Sequence, residues 1–159
     1  MSQRIDYAAL SSEYFKKFVA FSNALHDSAI ETRIRHLAEI RASQMNGCAF
    51  CVDMHVKQAS IDGERPLRLH HLAIWRESPL FDARERAALA WTEVLTRIPE
   101  HGVSDELYDS VRAQFSEKEL SDLTFIVMAI NAWNRPNVAF RTVPGAFDAV
   151  FGLDKAGLA

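Results

Sequence analysis

The chain has 159 residues, of which 48% are apolar and 25% charged, with a net charge of −3. That is long enough to bury a core without a disulfide or metal staple, and the composition is that of a globular domain. The mild acidity and the lack of a Lys/Arg cluster exclude nucleic acid as the main partner. No apolar run is long enough for a membrane span: the densest, Leu123 to Trp133, is interrupted by Thr124 and Asn131. The first residues hold no apolar signal-peptide core, so a cytoplasmic, reducing location is expected.

Apolar residues recur at spacings of three and four rather than two, which favours helices over strands. An N-terminal helix is expected over Tyr7 to Leu25. Ser28 to Glu31 reads as a capping box, in which a side-chain oxygen caps the N3 amide and the later Glu reaches back. Asn46 is a good N-cap type and Gly47 permits a sharp approach, so a helix should start near Cys48 and run to about Ile61. Turn signals follow at Asp62-Gly63, Ser78-Pro79, Pro99 to Gly102 and Pro144-Gly145.

Two further capping boxes stand at Asp82 to Glu85 and Ser116 to Glu119. After the first, Ala83, Ala87, Ala90, Trp91, Val94 and Leu95 share a face. After the second, Leu120, Leu123, Val127 and Ile130 do so, with Phe125, Ile126 and Met128 off the stripe, the pattern of a centrally buried helix. That helix should stop near Arg135, because Pro136 disfavours helical geometry before it. Trp75, Trp91 and Trp133 read as core or interface anchors. The polar Asn131, Asn134 and Arg135 read as side chains tying down this helix end and the next turn, the alternative being an active-site wall or subunit contact. His70-His71 falls on a short helix or loop and is given no role. The expectation is a single all-α domain over residues 1–159, a compact bundle of six or seven helices.

The chemistry concentrates in Asn46 to His55, which holds the only two cysteines of the chain, three residues apart, with a histidine four further on. On a helix starting near Cys48, the residues Cys48, Cys51 and His55 are spaced i, i+3 and i+7 along one stripe. The thiols then lie in the first turn, where free amide N–H groups and the helix dipole favour an anion. This matters because the thiolate is the nucleophile, and a helix N-terminus with a nearby imidazole lowers a cysteine pKa. His55 is placed to act as base or orienter for Cys51, and Cys48 to resolve a sulfenic acid on Cys51 as a disulfide. A zinc site is the competing reading, with Cys48, Cys51 and His55 as ligands and His36, His70 or His71 as a fourth. No second ligand cluster accompanies them at the usual spacing. The bland alternative is two buried cysteines acting as small hydrophobes.

The stretch Arg41 to His55, Glu85 to Trp91 and Ile130 to Arg141 together resemble the AhpD-like alkylhydroperoxidase proteins of the carboxymuconolactone decarboxylase superfamily. The resemblance spans about residues 10 to 145. It implies an all-helical fold assembling into homo-oligomers from dimer to hexamer. It also implies reduction of a hydroperoxide by a thiol pair that an external dithiol or thioredoxin-like reductant recycles, with no cofactor and no metal. Carried over, Cys51 attacks the peroxide, Cys48 resolves, and His55 belongs to the proton relay. The best-known branch has a glutamate twelve residues before the first cysteine, where this chain has His36, and a histidine between the cysteines, where it has Phe50. His36 and Glu39, one helical turn apart, are the candidates for the rest of the relay. Lactone decarboxylation, the reaction of the superfamily's namesake, ranks last, because that branch generally lacks the cysteine pair.

Overall fold

The structure, a computed structural model, describes residues 2–158; Met1 and Ala159, the ends of the expected 1–159 domain, lie outside them. Among the described residues the architecture is all-α with no strand. The helices are α1 (Tyr7–Leu10), α2 (Ser12–Ala24), α3 (Thr32–Asn46), α4 (Ala49–Ile61), α5 (Pro66–His71), α6 (Ala83–Thr96), α7 (Asp105–Arg112), α8 (Glu117–Phe140) and α9 (Asp148–Phe151). Short 3-10 turns follow α2, α5 and α9. Among the described residues no helix is long and apolar enough to cross a membrane.

The most enveloped helix is α3, which packs against α4, α6 and α8. Its Ile34 and Ala38 join Trp91, Leu123 and Val127 in one apolar cluster, while Leu37 and Ile40 join Leu72, Trp75 and Leu89 in a second. Apolar side chains leave α3 in several directions, so it needs neighbours all round. α8 is instead one-sided: Ile126 is buried, but Phe125 and Met128 stand about half exposed. Central burial was therefore expected of the wrong helix.

Two of the three expected capping boxes form, with Asp82 and Glu85 opening α6 and Ser116 and Glu119 opening α8. The third does not. α3 starts at Thr32 after Glu31, whose carboxylate binds Arg84 at 2.9 and 3.1 Å instead of reaching back to Ser28. A two-pronged guanidinium partner outcompetes a local backbone N–H. The N-terminal helix is likewise broken. Ser11 leaves helical geometry (φ −118°, ψ 42°), which lets Tyr7 pack on Phe140 and reach Asn137 while Phe15 and Phe18 pack on Trp133.

α8 runs through Pro136 to Phe140 rather than stopping near Arg135. Proline removes one helical bond, but tertiary partners hold the chain on both sides of it. Asn131 and Asn134 bond to Asn46, and Asn137 accepts from the Tyr7 hydroxyl at 3.1 Å. All three tryptophans have a polar partner for the indole N–H, as buried Trp requires: Glu93 for Trp75, Thr124 for Trp91 and Ser22 for Trp133.

Candidate active site at the corner between α3 and α4

The two cysteines sit where the chain passes from one helix directly into another. α3 ends at Asn46, and Gly47 adopts the left-handed conformation (φ 66°) that glycine takes without steric cost. The Gly47 and Cys48 amides close back on the Gln44 and Ser43 carbonyls at 3.2 and 3.0 Å, a Schellman ending. Cys48 then serves as the N-cap of α4, and its Sγ accepts the Cys51 amide N–H at 3.3 Å. Asn46, expected to cap α4, is instead the last residue of α3, because the left-handed turn at Gly47 moves the cap two residues on, to Cys48.

Cys48 and Cys51 are joined as a disulfide, with Cα atoms 5.3 Å apart. Both residues are only 1% exposed, in an apolar pocket of Ala42, Phe50, Ile130 and Met54. Cys51 Sγ receives a weak bond from Asn137 Nδ2 at 3.6 Å. Each sulfur thus faces one N–H donor: a helix amide for Cys48, a side-chain amide for Cys51.

The corner is held in place by a ladder of neutral amides on α8. Asn46 Nδ2 donates to Asn131 Oδ1 at 2.9 Å and to Asn134 Oδ1 at 2.8 Å. Asn134 donates to Ser43 Oγ at 3.1 Å, and Ser43 donates to the Glu39 carbonyl at 2.7 Å. Asn131 donates to Thr96 Oγ1 and to the Val127 carbonyl. Asn131 and Asn134 therefore tie the end of α3 to the stretch of α8 before Pro136, short of the α8 end at Phe140. Arg135 takes no part in this ladder; its guanidinium bonds the Asn131 carbonyl.

One turn beyond Cys51, His55 is buried, with Nδ1 2.8 Å from Gln58 Oε1 and 3.3 Å from Glu39 Oε2. Burial pushes the His55 pKa below its usual value, and the Glu39 charge and the Gln58 bond pull the other way. Desolvation being the largest effect, the neutral imidazole is favoured, which suits a base. His36 lies further back on α3. Its Nε2 is 2.7 Å from Asp62 Oδ2, and its Nδ1 is 3.9 Å from Glu39 Oε2. The structure thus brings His55 and Glu39 together and places His36 on the far side of Glu39. His70 and His71 lie on α5, where His71 contacts Ser78. Among the described residues no cluster of three or more His, Cys, Asp or Glu side chains is arranged to hold a metal.

Four contributors escaped the sequence reading: Asn137, Gln58, Asp62 and the structural role of Asn46. For Asn137 a signal existed, since Asn131, Asn134 and Asn137 recur every three residues and mark a polar stripe on an apolar helix. Gln58 and Asp62 carry no such signal, being polar residues on a helix with solvent on one side.

Residues 12–94 match the carboxymuconolactone decarboxylase family. The uncharacterized protein YdfG of Bacillus subtilis is 41% identical over 139 residues, covering 87% of this chain and 95% of YdfG. The crystal structure of a protein of unknown function from Agrobacterium tumefaciens, provisionally named as the antioxidant defence protein AhpD, superposes with a TM-score of 0.87. It is 43% identical, covering 91% of this chain and 99% of that one. The debrominase Bmp8 shares the fold at a TM-score of 0.75 and 19% identity, over 93% of this chain and 79% of Bmp8. With its all-helical fold and a disulfide-forming Cys-x-x-Cys pair at a helix start, this chain belongs to the AhpD-like proteins of the carboxymuconolactone decarboxylase superfamily.

Proposed function

We propose that the chain is a thiol-dependent peroxidase whose working group is the Cys48–Cys51 pair. The observation that carries this reading is the position of that pair at the start of α4, bonded as a disulfide, with the buried His55 one turn along and Glu39 of α3 beside it. In the reduced protein, the Cys51 thiol passes its proton to the His55–Glu39 pair, and the thiolate attacks the terminal oxygen of a hydroperoxide. The O–O bond breaks, Cys51 becomes a sulfenic acid, and the departing alkoxide takes a proton to leave as an alcohol. Cys48 then attacks the Cys51 sulfur, the S–O bond breaks, and water leaves as the disulfide closes. An external dithiol returns two electrons and two protons to the pair.

The assignment of Cys51 as attacking residue draws on its closeness in sequence to His55 and on the Asn137 donor. Cys48 suits the other role. Its sulfur accepts a helix amide, which stabilises it as a thiolate. A thiolate stabilised in this way is the better leaving group when the dithiol attacks Cys51. Because both sulfurs are buried, each half-reaction requires a local opening of the corner. A homo-oligomer and a cytoplasmic setting belong to the same proposal.

The test is direct. Reduced protein is mixed with one equivalent of an organic hydroperoxide, then examined by intact mass and free-thiol titration. Loss of two mass units and of both thiols is expected, with sulfenic acid accumulating in Cys48→Ser. A Cys51→Ser variant that consumes peroxide as fast as the unaltered protein would overturn the proposal.

A further inference from the structure

The proposed chemistry lends a proton from Cys51 to His55 and Glu39 inside a buried corner, and the protonation state from which these groups start each turnover is set by exchange with water. One Glu39 oxygen, Oε2, faces two imidazoles, 3.3 Å from His55 Nδ1 and 3.9 Å from His36 Nδ1. His36 is buried, and its Nδ1 has no hydrogen-bond partner. A buried polar atom left without a partner is uncommon and calls for an explanation. The other nitrogen of the same ring, Nε2, lies 2.7 Å from Asp62 Oδ2, and the Asp62 side chain is 51% exposed. His36 and Asp62 both line a cleft of about 310 Å³ at the end of α4, far along the helix from the disulfide.

An imidazole bound to a solvent-facing carboxylate through one nitrogen, with its other nitrogen aimed at the less exposed Glu39 carboxylate, is arranged to take a proton on one side and release it on the other. The gap to Glu39 exceeds a hydrogen bond, and a swing of the Glu39 carboxylate toward His36 closes it to the usual ~3 Å. We propose, building on the peroxidase reading above, that Asp62 and His36 are the proton port of the redox site. Protons reach and leave the Glu39–His55 pair through this cleft rather than through the apolar pocket around the sulfurs. The other charged groups about His36 are Arg33, Glu64, Arg65 and Arg68 lining the cleft, and Arg35 on α3. Arg33 and Arg68 are tied to Glu85, and Arg68 also to Glu64. Asp62 is thus the carboxylate that holds His36 from the solvent side. Both residues are positioning residues, acting on the thiols only through Glu39 and His55.

The experiment compares the unaltered protein with His36→Gln, Asp62→Asn and Asp62→Ala. Two readouts are followed against pH: the rate of disulfide formation with hydroperoxide, and the rate at which iodoacetamide alkylates the reduced thiols. The second needs no peroxide. Asp62→Asn and His36→Gln are expected to slow oxidation about tenfold at neutral pH, less than loss of a direct acid–base group, and to displace the midpoint of the alkylation profile. Added formate, small enough to enter the cleft, should restore a large part of the Asp62→Ala rate. Profiles that superimpose on those of the unaltered protein in both assays, with no response to formate, overturn the port, leaving the partly exposed Glu39 to exchange directly. Should His36→Gln fail to fold, the surface variants at Asp62 still decide the question. Failure of the unaltered protein to form a disulfide with peroxide would sink the peroxidase reading, and the alkylation profiles would still judge the port.

Discussion

The two ends of α4 are built from different materials. At its N-terminal end, the disulfide sits among apolar side chains, and the hydrogen bonds that fix the corner run between amides and hydroxyls: Asn46, Asn131, Asn134, Asn137 and Ser43. At its C-terminal end, formal charges do the holding. Arg68 binds Glu85 at 2.5 Å and Glu64 at 2.8 Å, and Asp62 binds His36. Neutral partners locate the sulfur pair without setting a formal charge against it. At the far end the Arg68–Glu85–Glu64 charges are themselves buried, and Asp62 is the member of that end that reaches solvent. One helix thus separates a disulfide held by neutral groups from a cluster held by formal charges.

The largest effect that would sharpen this contrast is expected at the ionic end. Glu85→Ala leaves the Arg68 guanidinium buried without its main partner and also removes the α6 capping box. Breaking a buried pair in this way costs about 3–5 kcal/mol, to be read from urea denaturation. At the amide end, Asn134→Ala strips partners from Asn46 and Ser43 and should cost about 1–3 kcal/mol, the penalty for unsatisfied buried polar groups. If Asn134→Ala proves the more damaging of the two, the ionic end is not the stronger anchor and the contrast fails.

A smaller effect, about 1 kcal/mol, is expected for Ser116→Ala, which loses the α8 N-cap remote from both ends. Its partner Glu119 has a pKa lowered to about 2, chiefly by its bond from the Ser116 backbone and then by the Ser116 hydroxyl and Arg84. The cap should therefore persist through mild acid, and the Ser116→Ala difference should be the same at pH 7 and pH 4.

The fourth prediction concerns pH and is the subtlest. The folded His55 pKa lies below the usual 6.5, so the unfolded chain binds the extra proton first as pH falls. Stability contributed by the neutral His55 is full above about pH 6.5 and is lost as pH drops from there toward the folded pKa. A His55→Gln variant should flatten the decline of melting temperature over that range. An unchanged slope would show that acid sensitivity arises elsewhere.

Much of the site was legible in the linear chain because it is local. Cys48, Cys51 and His55 lie within eight residues, at the N-cap and in the first two turns of α4. The capping boxes at Asp82 and Ser116 were legible for the same reason, while that at Ser28 failed because Arg84, distant in sequence, claimed Glu31. The end expected for α8 was also a local inference, and it was overridden by Tyr7 and Asn46, whose contacts with that helix reach across most of the chain. Glu39 read as one of two relay candidates. Only packing of α3 on α4 set it against His55 and turned His36 toward Asp62.

What the sequence by itself determined is the helical class, the place of the cysteine pair at a helix start and the family, all carried by periodicity and short spacings. The tertiary structure decided which polar residues surround that pair: the asparagine ladder from α8, the Glu39–His55 contact and the opening at Asp62. Burial leaves each polar group with the few partners that packing brings within reach, and those partners are neighbours in space, not in sequence.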